Sequence, residues 1–339
     1  MNRSGNLCAE AFSIPSLYQG YYDARKGKRT SRACFFFERQ LAAQINDLHK
    51  TLTAGTYKPR PYNTFEIYAP KKRSISAPAF RDRVVQHSIY NLIRPIFDRT
   101  FIDQSFACRI GKGTHAASDY VQAALKQAPR DSYVLQLDIK RYYYSLDRVV
   151  LRKLVERKIK DARMVDVIMM FAQTDDALGV PIGNLLSQLF GLIYLNVIDH
   201  FVKRELKVKR YCRYVDDFVL IGITFDQAKE YSERITEFLR DELHLELSRC
   251  DIYRVSRGIN FVGFRTWATK RFVRKHALYT FRRSAKRERL DSVVSSLGHA
   301  SKTASNCHML NYLKENHNGL YRRLPKSIRS IHNLQPKRP

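Results

Sequence analysis

Cysteine is scarce and scattered. The 339 residues hold six, Cys8, Cys34, Cys108, Cys212, Cys250 and Cys307, with no Cys-x-x-Cys pair. That spacing excludes a zinc ribbon or finger and offers no disulfide framework, so the thiols are expected to stay reduced, as in a cytosol. The ten histidines also lack ligand spacing, and His87 and His115 read as hydrogen-bonded structural residues. No His/Cys cluster of the HNH type occurs, so self-contained endonuclease activity is not expected. No apolar run approaches the roughly 18–20 residues of a membrane-spanning helix, and the N-terminus lacks a signal-peptide pattern. Repeats and long low-complexity segments are missing too. Acids are few: 32 Asp+Glu face 60 Lys+Arg, a formal charge of +28. The excess is spread along the chain and favours a polyanionic partner, because binding to phosphates releases counterions. An anionic membrane surface is the competing reading. The length suffices for two or three subdomains.

Periodicity supplies the elements. Residues 30–55 carry Phe36, Phe37, Leu41, Ala42, Ile45, Leu48 and Leu52 on one helical stripe that Gly55 would end. Phe65–Tyr68 and Ser74–Ser76 read as short strands joined by a turn from Pro70 to Arg73. Arg83–Phe97, residues 147–173 and Gln227–Leu243 are helical patterns, and Leu185–Val202 is apolar on most faces, as a buried helix would be. Past Phe261-Val-Gly-Phe264 the composition shifts. Arg265–Leu290 holds ten Lys/Arg and one acid, and helices are expected near 285–297 and 306–317.

Two segments carry chemistry. Tyr211-Cys-Arg-Tyr-Val-Asp-Asp-Phe-Val-Leu-Ile-Gly222 places adjacent carboxylates, Asp216 and Asp217, inside a β-prone run. Adjacent like charges are costly to ionise together, so a cation is expected nearby. A solvated hairpin turn is the bland alternative. Tyr133-Val-Leu-Gln-Leu-Asp-Ile-Lys140 is a second apolar strand, ending in Asp138. If the strands are neighbours, the three acids meet. Hard divalent cations seek such oxygens, and two of them roughly 3.5–4 Å apart serve phosphoryl transfer.

Asp138 with an aromatic five residues on, the Gly183-x3-Ser187 helix start and Tyr214-Val-Asp-Asp217 stand in the order expected of a reverse transcriptase. The chain resembles one along its length. Within that superfamily it most resembles the enzymes of diversity-generating retroelements. The discriminating run is Ile182-Gly-Asn-Leu-Leu-Ser-Gln188, where most reverse transcriptases carry Gln-Gly-x-x-x-Ser-Pro. Arg81-Asp-Arg-Val-Val-Gln-His87, Gly111-Lys-Gly-Thr-His115 and Ser256-Arg-Gly-Ile-Asn-Phe-Val-Gly263 fit the same group.

The resemblance implies roles. Asp138, Asp216 and Asp217 would be the catalytic carboxylates, with the backbone of Ile139 joining them around two Mg2+ ions (Mn2+ as the alternative). Tyr143 falls at the steric gate against a 2′-hydroxyl, whereas Tyr142 and Tyr144 read as core aromatics. Arg73, assisted by Lys71 and Lys72, would contact the incoming triphosphate. Gly183 would let the backbone approach the template–nucleotide pair, with Ser187 and Gln188 on the helix beneath. Ile182 replaces a glutamine that can hydrogen-bond near the nucleotide, which implies reduced fidelity. Family members often place a lysine shortly after the Leu-x-Leu strand as a proton donor; here Leu245-Glu-Leu-Ser-Arg-Cys-Asp251 offers Arg249 instead. Arg265, Lys270, Arg271, Arg274, Lys275, Arg282 and Arg283, interleaved with Trp267, Phe272, Tyr279 and Phe281, suit a nucleic-acid strand. Arg25–Arg29 and Pro336–Pro339 are further basic segments.

The expected architecture is α+β, a right-hand polymerase: fingers over 1–125, an antiparallel-sheet palm over 126–265, and a small helical thumb with a basic tail over 266–339. The implied activity is copying template-repeat RNA into adenine-mutagenised cDNA (mutagenic retrohoming). The implied partners are template RNA, the RNA/DNA hybrid, dNTPs and a small, oligomeric helical-bundle accessory protein of the Avd type. No membrane partner is expected. The setting would be the cytoplasm of a bacterium or archaeon, or a phage genome. The alternatives are a group II intron-like, retron or phage-defence reverse transcriptase, and, in another class, a non-catalytic RNA-binding scaffold.

Overall fold

The computed structural model describes residues 3–68 and 72–329. They form two compact units, each assembled from three stretches of chain. The first takes the chain up to Asp103, Ile139–Lys207 and Arg234–Ser248; the second takes Gln104–Asp138, Val208–Glu233 and the chain from Arg249 onward. Linear boundaries at 125/126 and 265/266 therefore do not coincide with the units.

In the first unit, helix Ile14–Arg25 packs along helix Phe80–Asp98. Ser13 caps the former by accepting from the Ser16 N–H. A side chain at Gly20 would put a Cβ 2.5 Å from the Val84 carbonyl oxygen, so glycine is what allows the helices to approach. The single helix expected over 30–55 is two, Arg32–Glu38 and Leu41–Ala54. The break lets Phe37 pack on Tyr21 and Phe80 and leaves Phe36 exposed. The 147–173 pattern also divides, into Arg148–Glu156 and Ala162–Met170, because Asp147 and Asp161 each cap a new start. Strands β1 (Asn63–Ile67) and β2 (Arg73–Ala77) form an antiparallel hairpin pairing Phe65 with Ile75. Its expected turn lies mostly outside the described residues, and so does Lys71.

Helix Leu185–His200 runs into a π-helical turn at Phe201–Glu205. Contrary to the sequence reading, Leu185–Glu205 is long and apolar enough to cross a membrane by length and composition. Yet 72% of its most apolar stretch is buried inside the protein, which accounts for the hydrophobicity as that of a core helix.

The second unit centres on a four-stranded sheet ordered β4–β5–β3–β6, with β3 Tyr133–Ile139, β4 Tyr211–Tyr214, β5 Asp217–Ile223 and β6 Leu247–Arg254. β3 and β4 flank β5 antiparallel. The unit boundary falls inside β3, after Asp138, and inside β6, after Ser248. Helix Thr114–Gln127 covers the sheet, burying Val121, Leu125, Val134, Val219 and Ile221 together. A smaller antiparallel sheet follows: β7 Ile259–Phe261, β8 Phe264–Thr266 and β9 Arg271–Val273. These strands escaped the sequence reading because three residues are too few to display a period of two. Helices Lys275–Lys286, Leu290–Ala300, Ser305–Asn316, Asn318–Arg323 and Lys326–Arg329 complete the unit. They enclose a core that includes Phe264, Phe281, Leu297, Leu310 and Leu313.

Candidate active site and nucleic-acid interface

The carboxylate cluster belongs to the second unit. β4 and β5 are joined by the two-residue turn Val215-Asp216, since Tyr214 pairs with Asp217. So tight a hairpin calls for positive φ, which glycine or asparagine usually supplies. Here Val215 adopts φ 57°, a costly conformation for a β-branched residue. Asp138 on β3 lies directly opposite Asp217 on β5, so both side chains share one face of the sheet. The register brings together strand ends about eighty residues apart in the chain.

Asp217 is held by its neighbours in the second unit. Its Oδ1 accepts from Gln136 Nε2 at 3.1 Å and from Arg249 Nη2 at 2.9 Å. The network continues: Tyr253 O–H donates to Gln136 Oε1 at 2.7 Å, Gln136 Nε2 also donates to the Asn260 carbonyl, and Arg249 reaches Asp251 at 3.8 Å. Burial raises the Asp217 carboxyl to about 6. Asp138 and Asp216 push the same way, while Gln136 and Arg249 oppose. Among the described residues no group of three or more His, Cys, Asp or Glu side chains is gathered as a metal site. Arg249 supplies the nearby cation that the adjacent acids led one to expect.

Sequence reasoning passed over two residues that support this hairpin. Gln136 is a buried amide in an otherwise apolar strand, two residues before Asp138 and so on its face. Arg213, the interior arginine of Tyr-Cys-Arg-Tyr, is fully buried. Its Nη1 donates to the Val215 carbonyl at 2.9 Å and its Nη2 to Ser105 Oγ at 3.1 Å. A polar residue inside each apolar strand was the available signal.

The first unit gathers most of the expected nucleotide-binding residues. Arg73 opens β2 and is exposed, whereas Lys72 is drawn into an ion pair with Glu66 at 2.8 Å. The Ser76 N–H donates to the Ile182 carbonyl at 2.7 Å, tying β2 to the loop before helix Leu185–His200. Gly183 has φ 109°, and a Cβ there would meet Ile75 Cγ2 at 2.8 Å. Asn184 caps the helix through its Oδ1 and donates from Nδ2 to the Phe171 carbonyl and Tyr62 Oη. Ser187 is buried and its Oγ has no hydrogen-bond partner, while Gln188 is exposed. Tyr142 is core, its hydroxyl donating to the Gly191 carbonyl. Tyr143 is half-buried, with its ring against Gly191, and Tyr144 is half-buried and bonded to Ser74.

The basic tract splits by role. Arg274, Lys275, Arg282 and Arg283 are exposed along helix Lys275–Lys286, and Lys270 is exposed over the Trp267 ring. Arg265 is half-buried, donates to the Arg257 carbonyl at 2.6 Å and stacks on Trp267. Arg271 does not belong with them. It is buried, pairs with Asp119 at 2.7 Å and donates to Gln122 at 3.0 Å. Phe281 is likewise core rather than a stacking platform.

The chain is similar to several known proteins. Protein YkfC of Escherichia coli K12 is 28% identical over 297 residues, covering 71% of this chain and 74% of that protein. The group II intron-encoded protein LtrA of Lactococcus lactis subsp. cremoris is 29% identical over 246 residues, covering 69% of this chain but only 37% of LtrA. Among solved structures, telomerase of Candida albicans in complex with a telomeric RNA fragment superposes with a TM-score of 0.49 at 13% identity, covering 78% of this chain and 55% of that one. Residues 58–266 match the reverse transcriptase (RNA-dependent DNA polymerase) family, whose members generally use divalent metal ions. With most of its length inside that match, the chain belongs to the reverse transcriptase family and is an RNA-directed DNA polymerase.

Proposed function

We propose that this reverse transcriptase serves a diversity-generating retroelement, copying template-repeat RNA into adenine-mutagenised cDNA. The observation that carries the reading is Ile182. Its carbonyl is fixed by β2, but its side chain offers no polar group where reverse transcriptases usually present an amide. Losing a polar restraint narrows the difference in transition-state binding between right and wrong pairs. Gln188, in place of the usual proline, supports the same assignment. The right-hand layout of fingers, palm and thumb is part of this reading.

Asp138 and Asp216, with the Ile139 carbonyl, are the proposed metal-holding oxygens. They fit hard divalent cations of the Mg2+ type, with Mn2+ as the alternative, because every donor is oxygen. When bound, such ions would supply Lewis-acid stabilisation of the transferring phosphoryl group. Asp217, neutralised by Arg249, fixes the hairpin. Arg73 would hold the triphosphate with its planar guanidinium, and Tyr143 would exclude a 2′-hydroxyl. The exposed cations of helix Lys275–Lys286 would follow the RNA/DNA hybrid. An Avd-type accessory protein is the proposed partner. The likeness to LtrA favours, as second reading, an enzyme of the group II intron kind.

Primer extension separates enzyme from scaffold: Asp216→Asn should abolish synthesis while retaining RNA binding. Sequencing the cDNA of Ile182→Gln separates the two readings of type. Misincorporation opposite template adenines should fall about tenfold, the size of a 1.4 kcal/mol change in discrimination. An unchanged rate removes the basis for assigning the retroelement type.

A further inference from the structure

One face of the second unit's main sheet carries a polar network that reaches well beyond the acids themselves. Side chains two apart along a strand share a face. Gln136 therefore stands with Asp138 on β3, and Arg249 with Asp251 and Tyr253 on β6. The register puts Val219 opposite Gln136 and Asp217 opposite Asp138. Gln136 is thus a diagonal neighbour of Asp217, a spacing that a long side chain can bridge. Its Nε2 does bridge it, donating to Asp217 Oδ1 at 3.1 Å.

Gln136 is only 2% exposed, and burying an amide is costly unless its hydrogen bonds are made. Here they are made in a way that fixes which end points where. Nε2 has two N–H groups, and it serves two acceptors, Asp217 Oδ1 and the Asn260 carbonyl at 2.9 Å. Carboxylate and carbonyl oxygens only accept, so nitrogen and not oxygen must face them. Oε1 then points to the Tyr253 hydroxyl, which donates at 2.7 Å. A carboxylate at position 136 would set acceptor against acceptor. An aliphatic chain would leave Asp217, Asn260 and Tyr253 each short of a partner. Arg249 donates to the same Oδ1 at 2.9 Å, so β3 and β6 grip Asp217 together.

We propose that Gln136 is a positioning residue for DNA synthesis, with Tyr253 setting the orientation of its amide. Neither side chain needs to touch substrate, since both act through Asp217. Tyr253 and the Asn260 carbonyl hold the amide, and the amide with Arg249 holds Asp217 before any cation arrives. Asp217 opens β5, directly after Asp216 of the turn and opposite Asp138. A fixed Asp217 therefore keeps the other two carboxylates in register, and a divalent ion meets them already ordered. The role rests on the reading of Asp138 and Asp216 as metal-holding and is independent of the retroelement type. Were the network only a brace for the fold, its loss would lower the amount of active enzyme and leave the metal response of each molecule unchanged.

The test titrates Mg2+ in homopolymer primer extension by the whole protein, with rates taken per active molecule from a single-turnover burst. Gln136→Met keeps the length and loses every hydrogen bond. Its kcat should fall about tenfold and its Mg2+ half-saturation rise about fivefold, as for a lost hydrogen bond to a charged group. KM for primer–template should stay as it was. Tyr253→Phe removes one oxygen and should move both quantities the same way by about threefold. In the Gln136→Met background Tyr253→Phe should add nothing, because no amide remains to be set. Wild-type half-saturation in both single variants, or losses that multiply in the double variant, overturns the proposal. If Gln136→Met does not fold, Tyr253→Phe decides alone: a wild-type Mg2+ response overturns the proposal, and a raised half-saturation supports it. Asp216→Asn in the same assay separates this role from the metal assignment. If Asp216→Asn is inactive while Gln136→Met responds to Mg2+ as wild type does, only the positioning role falls. If Asp216→Asn synthesises at the wild-type rate, the metal assignment falls and the positioning role with it.

Discussion

Arg213 offers a quantitative test of how the Asp216 turn is held. The side chain is fully buried, and its guanidinium donates to the carbonyl of Val215, the residue whose φ of 57° makes the two-residue turn possible. Holding a β-branched residue there costs about 1–3 kcal/mol. A hydrogen bond from a charged donor returns about 1.5–3 kcal/mol. The two are of one size, so the clamp and the strain should be coupled. Arg213→Met keeps an unbranched side chain and deletes the donors. With the turn released, kcat should fall about 10- to 100-fold, the effect of 1.4–2.8 kcal/mol, while affinity for primer–template stays as it was. Val215→Gly removes the strain the clamp opposes. In that background the same Arg213→Met substitution should cost about tenfold less, a coupling near 1.4 kcal/mol in the double-mutant cycle. The assay is steady-state extension of a homopolymer primer–template, with circular dichroism as the check on folding. Additive losses, or an unchanged kcat in Arg213→Met with the fold intact, would refute the clamp.

Gly183→Ala should raise KM for dNTP while leaving primer–template affinity alone, because its Cβ would press on Ile75 of β2, an overpacking worth about 1–3 kcal/mol. Charge reversal of Arg282 and Arg283 should weaken RNA binding across all sequences and flatten the salt dependence by about two counterions; an unchanged slope would remove that helix from the interface. Asp119 is a third site. Burial raises its carboxyl, but hydrogen bonds from Lys302 and Arg271 outweigh that and hold it below its ordinary value. Its contribution is therefore complete above the unfolded value and fades as pH falls through the folded one. Urea unfolding should find Asp119→Asn less stable than wild type near pH 7 and the two converging below about pH 4; a gap constant across that range would contradict the pairing.

What could be read in the sequence was local. Asp138 at the end of Val-Leu-Gln-Leu and the adjacent acids in a β-prone run were visible because strand character and charge conflict within a few residues. The β1/β2 hairpin and the apolar helix from Leu185 were equally plain. What escaped depends on register. Gln136 reaches Asp217 only because β3 and β5 align Asp138 with Asp217. Arg271, one cation among ten in its tract, is set apart only by a partner in helix Thr114–Gln127. Non-local pairing also defeats linear domain boundaries, since neighbouring strands of the β4–β5–β3–β6 sheet are supplied by distant stretches of chain.

The pair of adjacent acids poses an electrostatic problem, and the fold solves it asymmetrically. Asp217 lies in the ladder and shares a face with Asp138, where burial and two like charges oppose its ionisation. Asp216 occupies the turn, outside the ladder. Were all three acids left to share mobile cations, the hairpin would carry its full repulsion whenever the ions depart. Arg249 removes one charge permanently, because a guanidinium does not deprotonate in a protein. A lysine, whose charge is easily lost on burial, would tie the hairpin to its own titration. An arginine on β6 thus suits the neutralising task as much as it is unsuited to donating a proton, and its pairing with Asp217 accounts for its presence at that position.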